Sequence, residues 1–394
     1  TGTGPQLRDT CWLGFRPRDP VMEPSLPVFR HNIRSADSER DTMLALVMSL
    51  LLLGDFPELA ARLQQDPLYA SPVVLEQAAR AVDRGGNPID RLTGLLDYLF
   101  SKEGVAFQYG NETVPVPDLL KEGRGNCLSF AQAVVLLARH LGLPAHFREV
   151  EIIPVWSLKG RVVVLSQHIN VAVFIGSRLY LVDLLPEIRA LTIRGDIIDD
   201  NRARAHYFSN LGADYLSRNQ PAAAQMCFRK ALEWDESADF AWTNLGASLV
   251  FAGELQKAER IYRRALEVNS ENMAAMSNLA LLYRRMGKDH LAAGFERKVR
   301  DFQRKNPYHH YALGLEAFQE EQWEEVVVHL LRAIRLKKQE PRFYSVLAQA
   351  YAHMGRTDEM AEALRSAVKF AQTDEERARY EEKLELLAQL ETKQ

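Results

Sequence analysis

Residues 123–130, Gly-Arg-Gly-Asn-Cys-Leu-Ser-Phe, read as a glycine-flexed loop that delivers Cys127 to the first turn of a helix. The helix continues through Ala131, Val134, Val135, Leu136, Leu137, Ala138 and Leu141, apolar on all sides, and is closed by Gly142 and Pro144, so it is expected to be buried. A cysteine at such an N-terminus meets unpaired backbone N–H groups and the positive end of the helix dipole, both of which favour the nucleophilic thiolate. A lone cysteine is just as readily a small core residue, and position alone leaves both readings open. The residues downstream decide. Stretches 161–175 and 178–184 are β-branched, alternating runs separated by Gly176-Ser177, a two-residue hairpin signal. With Ile175 opposite Arg178, paired numbers sum to 353, Asn170 faces Asp183, and His168 lies one diagonal step from Asp183 on the same sheet face. A slip of one residue would separate them. Cys127, His168 and Asp183 are thus a candidate triad, in which the imidazole takes the thiol proton and the carboxylate fixes its tautomer.

These residues resemble the transglutaminase-like superfamily, cysteine enzymes with a papain-like core. The resemblance rests on the Gly-x-Gly-x-Cys loop, the strand histidine about forty residues later and the aspartate on the partner strand, and extends over about residues 95–185. Phe107-Gln108-Tyr109, Leu119-Leu120 and Leu141-Gly142-Leu143-Pro144-Ala145 also fit the pattern. It implies acyl transfer at an amide. No metal-ligand, Walker or dinucleotide pattern appears in the sequence, so no cofactor and no metal are expected. The sequence departs from the family where His-x-Trp is replaced by His168-Ile169-Asn170 and where Tyr180 stands for a Trp before the Asp. Papain-type enzymes keep a Gln six residues before the cysteine as an oxyanion donor. Lys121 occupies that place, leaving a second oxyanion donor unassigned.

The elements that must position this chemistry occupy a 394-residue chain, long enough for two or three domains. A hydrophobic content of 47% with 26% charged residues is that of a globular chain, and a net charge of −3 gives no electrostatic case for nucleic acid. The longest apolar run, Met43–Leu53, is too short to cross a bilayer. Cys11 and Cys227, left over beside Cys127, are too few for a disulfide framework and are expected to be free. Residues 1–34, rich in Gly and Pro, read as an extended leader or tether. Its Thr1-Gly2-Thr3-Gly4 start suits the region after the lipid-modified cysteine of a bacterial lipoprotein and equally suits a tag remnant. A periplasmic or membrane-anchored location and a cytoplasmic one therefore both stand.

Helices are expected over 35–53, 55–65, 72–84 and 88–102, and strands over 146–156, 161–175 and 178–184, completing a cysteine domain at 35–200. From about residue 186 strand signals vanish. Leu-Gly or Leu-Ala recurs at Leu211, Leu245, Leu279, Leu313 and Leu347, always 34 residues apart, the period of tetratricopeptide repeats. Ala224, Ala258 and Ala292 keep step, as do Phe228, Tyr262, Leu330 and Leu364, although Glu296 stands where the third repeat needs an aromatic. Five repeats over 205–372 and a capping helix over 373–394 follow. Asn210, Asn244 and Asn278 share one position and are candidates to bond an extended peptide in a groove, against the plainer reading of a consensus residue facing water. Adjacent His309-His310 point about 100° apart on a helix and do not make a metal pair. His140, about 20 Å along the helix from Cys127, cannot serve it, which leaves His146 as the other candidate base.

The sequence therefore reads as an α+β papain-like, transglutaminase-like domain followed by an all-α tetratricopeptide-repeat solenoid. The expected activity is a cysteine peptidase or amidase acting through a thioester on a protein or peptide held by the repeats. A non-catalytic adaptor, an amine-accepting transglutaminase and a cell-wall peptide-processing enzyme are the alternatives.

Overall fold

The computed structural model describes residues 57–82, 86–152, 157–159, 162–164, 168–184 and 192–391. The leader at 1–34, Cys11, the helix expected over 35–53 and the connection at 185–191 lie outside the described residues. Two compact units divide the chain: the first runs to Glu149 and includes Ile169–Pro186 and Asp196–Val268; the second comprises Val150–His168, Glu187–Gly195 and Asn269 onward.

The first unit begins with helices α1 (Pro57–Gln64), α2 (Pro72–Val82) and α3 (Pro88–Phe100). Asn87 caps α3, its Oδ1 accepting from the Ile89 and Asp90 amides, and Leu92, Leu95, Leu96 and Leu99 turn the apolar stripe inward. Strand β1 (Gln108–Tyr109), helix α4 (Val116–Glu122), strand β2 (Arg124–Gly125) and helix α5 (Cys127–His140) follow. Helix α5 is buried along nearly its whole length, as its composition requires.

A four-stranded sheet has the order β7–β6–β3–β8, from β3 (Ala145–Ile152), β6 (His168–Ile175), β7 (Arg178–Val182) and β8 (Thr192–Ile198). The β6–β7 ladder is antiparallel with Ile175 opposite Arg178 and Val171 opposite Val182, the register that the turn arithmetic gives. Two strand expectations are corrected. The run 161–175 contains separate strands, β5 (Val162–Val164), which pairs with β4 (Ser157–Lys159), and β6. Strand β8 lies beyond residue 186, where no strand is expected; only its place beside β3 at the sheet edge gives the Thr-Ile-Arg-Gly-Asp-Ile-Ile run its conformation.

Among the described residues, ten helices pack in five pairs at the 34-residue period: α6 (Asp200–Ser217) with α7 (Pro221–Trp234), α8 (Asp239–Phe251) with α9 (Leu255–Val268), α10 (Met273–Arg285) with α11 (Asp289–Lys305), α12 (Pro307–Gln319) with α13 (Trp323–Leu336), and α14 (Pro341–His353) with α15 (Thr357–Phe370). In the first, second and fourth repeats the glycine of the first helix admits the large residue of the second. A Cβ on Gly212 would lie 2.5 Å from Phe228, one on Gly246 2.6 Å from Tyr262, and one on Gly314 2.7 Å from Leu330. The third repeat replaces this contact: Glu296 pairs with Arg284 at 2.8 Å, and Phe295, one residue earlier, packs on Tyr283 with ring centroids 5.8 Å apart. The final helix α16 (Asp374–Glu391) packs on α15 and buries Tyr380.

Repeats one and two belong to the first unit and repeats three to five to the second, whereas the change of sequence period falls near residue 186. The first repeat shares the cysteine domain's core: Ala203, Ala205, Tyr207, Phe208 and Leu211 of α6 belong to one cluster with Phe130, Val134 and Leu137 of α5. Polar contacts reinforce the joint. Asp200 pairs with Arg139 at 2.8 Å, Arg202 with Glu149 at 2.5 Å, and Arg204 with Asp66 at 2.7 Å.

Candidate active site

The loop before Cys127 is built by two glycines with different tasks. Gly123 ends α4 with φ +66°, and a Cβ there would stand 2.5 Å from the Val105 carbonyl oxygen. Gly125 pairs with Tyr109 across the parallel β1–β2 bridge, and its Cβ would meet Ser129 Cβ at 2.9 Å and Val114 Cγ2 at 3.2 Å. The second glycine therefore lets the loop press onto the helix it precedes.

Asn126 caps α5. Its Oδ1 accepts from the Ser129 amide at 3.0 Å while its Nδ2 donates to Thr113 Oγ1 at 2.7 Å, and all three residues are buried. Ser129 Oγ in turn accepts from the Val114 amide at 2.8 Å. Beneath this turn Phe100, Phe107 and Phe130 form a trio with centroids 5.3–6.0 Å apart. Cys127 is the first residue of α5 and the one half-buried member of a run otherwise buried from Gly125 to Val135. Its N–H is among the four at a helix start that have no acceptor within the helix. Tyr109, across the bridge and 40% exposed, has its phenol raised by partial burial, with the Cys127 charge adding to the rise. In the sequence Tyr109 is only one residue of the Phe107-Gln108-Tyr109 pattern; its pairing with Gly125 brings it beside the Cys127 loop.

Cys227 contrasts with Cys127. It is fully buried in α7, and desolvation, with the Asp214 charge, pushes it up to about 12. Of the two described cysteines, both free, Cys127 is half-buried and Cys227 buried.

His168 opens β6 and is 2% exposed, and Asp183 follows the last residue of β7 at intermediate exposure. Asn170, two residues on from His168 and on the same face of β6, donates from Nδ2 to Asp183 Oδ2 at 2.8 Å. His140 pairs with Glu76 at 3.5 Å, and His146 packs edge-on against Phe174 at 5.8 Å.

In the repeats, Asn244 is half-buried and donates to Ser209 Oγ at 2.9 Å, Asn210 is likewise half-buried, and Asn278 is only 3% exposed. Asn210 and Asn244 lie in the first unit and Asn278 in the second. His309 and His310 have ring centroids 5.7 Å apart, and no group of three or more metal-ligating side chains occurs among the described residues. Nor is any described helix long and apolar enough to cross a membrane.

The transglutaminase-like superfamily core matches residues 76–180, and the tetratricopeptide repeat matches 241–272 and 341–374. The chain thus joins a transglutaminase-like domain to tetratricopeptide repeats. Similar solved structures are tetratricopeptide-repeat proteins. YrrB, described as having an unusual peptide-binding site, is 17% identical, covering 45% of this chain and 92% of its own, with a TM-score of 0.24. MamA from Desulfovibrio magneticus RS-1 is 17% identical over 42% of this chain and 94% of its own, with a TM-score of 0.25. A thermophilic tetratricopeptide-repeat protein from Thermus thermophilus is 20% identical over 45% of this chain and 97% of its own, with a TM-score of 0.24. Comparison with curated proteins gives no match.

Proposed function

We propose that this protein is a cysteine acyl-transfer enzyme, acting as a peptidase or amidase on a protein or peptide that its repeats hold. The observation that carries the reading is the half-buried Cys127 at the start of an otherwise buried helix, set there by a capped, doubly glycine-dependent loop. A cysteine so placed has helix-terminal N–H groups around its sulfur, which favour the thiolate.

In this mechanism His168 takes the Cys127 proton, giving a thiolate and an imidazolium that Asp183 orients. The thiolate attacks the amide carbonyl, forming a C–S bond. The oxyanion is met by the Cys127 backbone N–H. As the C–N bond breaks, the imidazolium gives its proton to the leaving amine, and a thioester remains. Water, deprotonated by His168, then attacks the thioester carbonyl and releases the carboxylic acid and the Cys127 sulfur. An amine in place of water would give transamidation through the same thioester. The repeats raise the local concentration of substrate beside the nucleophile, so a modest groove affinity suffices. Asn210 and Asn244, the half-buried members of the asparagine series, are assigned to the bound peptide's backbone.

Iodoacetamide tests the reading. The native chain should be alkylated at Cys127 and not at Cys227, and the rate at neutral pH should fall by roughly tenfold or more in His168→Ala. A rate indifferent to His168 removes the general base and leaves an adaptor built on the same fold.

A further inference from the structure

Arg148, Asn170 and Asp183 form a polar row across three neighbouring strands, β3, β6 and the end of β7. Arg148 Nη1 donates to Asn170 Oδ1 at 3.4 Å, and Asn170 Nδ2 donates to Asp183 Oδ2 at 2.8 Å. The chemistry of the row fixes its polarity. A guanidinium only donates and a carboxylate only accepts, so the amide between them has one orientation that satisfies both neighbours. Asn170 is 6% exposed, and a reversed amide there would set a donor against a donor and an acceptor against an acceptor. Burial lowers the Arg148 guanidinium, and the charges of Asp183 and of Asp196 on β8 act in the opposite sense.

We propose that Asn170 and Arg148 are positioning residues for Asp183: Arg148 fixes the Asn170 amide, the amide holds Oδ2, and Oδ1 is thereby assigned to His168, two residues from Asn170 on the same strand face. This rests on the reading of Cys127, His168 and Asp183 as the catalytic triad. A hydrogen bond donated to a carboxylate favours its ionised form and restricts its rotation. Both effects strengthen its hold on an imidazolium. Asn170 takes the place of the Trp in the His-x-Trp pattern, so in this chain an amide on the histidine's own strand does the holding.

The test measures the pH profile of Cys127 alkylation by iodoacetamide in the full chain, from pH 5 to 9, with unlabelled Cys227 reporting that the first unit remains folded. Asn170→Ala, and the isosteric Asn170→Asp, should each lower the rate at pH 6–7 by roughly tenfold, the scale of one charge-assisted hydrogen bond, and move the profile toward that of His168→Ala. Arg148→Lys should keep most of the wild-type rate and Arg148→Met should lose it. An unchanged profile in both Asn170 variants, with a shifted one in His168→Ala, overturns the positioning role and leaves the triad. An unchanged profile in His168→Ala overturns the triad and this proposal together. Equal loss in the two Arg148 variants overturns the part assigned to its charge. That pair, at a half-buried site, carries the test if both Asn170 substitutions unfold the unit.

Discussion

Glu149 is where the cysteine domain meets the first repeat, and it makes that joint sensitive to acid. Its carboxylate is 16% exposed, 2.5 Å from Arg202 Nε and 3.5 Å from His206 Nε2, and His206 is stacked on Phe240 with centroids 4.0 Å apart. Burial alone would raise its pKa, but the His206 and Arg202 contacts bring it from an ordinary 4.5 down to about 2. A carboxyl depressed on folding contributes stability that is present above its unfolded value and is lost as pH falls through the folded one. The full contribution at neutral pH is about 3 kcal/mol, and somewhat under half of it disappears between pH 7 and 3.5. With a urea slope of about 3 kcal/mol/M this is a midpoint shift of roughly 0.5 M. Glu149→Gln keeps the shape and removes the ionisation, so its midpoint should be lower at pH 7 yet fall less between pH 7 and 3.5. Asp235 and Asp239 share Arg202 with Glu149, so the difference between the two falls reads this cluster, while carboxylates remote from it cancel. A methanethiosulfonate pulse after equilibration in urea reads unfolding of the first unit as labelling of the otherwise buried Cys227. Parallel falls in wild type and Glu149→Gln would refute the assignment.

Two further outcomes follow from packing. Gly125→Ala places a methyl 2.9 Å from Ser129 Cβ, a cost of about 1–3 kcal/mol, and should also slow Cys127 alkylation, because the loop must lift from α5; thermal denaturation and labelling check both. Truncation after residue 268 should retain native Cys127 reactivity, whereas truncation before residue 205 removes Ala205, Tyr207, Phe208 and Leu211 from the shared core and should yield protein whose cysteines all label without selectivity. Equal behaviour of the two truncations in that labelling assay would show that α6 is dispensable to the first unit.

The parts legible in the sequence are those whose partners lie close along the chain. Gly176-Ser177 sets the β6–β7 register because a two-residue turn leaves one way for Ile175 and Arg178 to meet. The 34-residue period announces the helix pairs because the small and large residues that meet, such as Gly212 and Phe228, stand sixteen apart within a single repeat. The position of Cys127 is likewise local, since Asn126, Gly125 and the apolar run after them define a helix start. What tertiary structure alone decided are contacts between distant residues that no period or turn encodes. Strand β8 exists because β3 offers it an edge. The first repeat joins the cysteine domain because Arg204 reaches Asp66 and Arg202 reaches Glu149, across 138 and 53 residues of chain. Arg148 meets Asn170 because β3 and β6 are neighbours in the sheet although separate in sequence, and the orientation of the amide that holds Asp183 follows from that adjacency. A carboxylate, an amide and a guanidinium are ordinary surface residues in one dimension; alignment across three strands makes each the other's required hydrogen-bond partner.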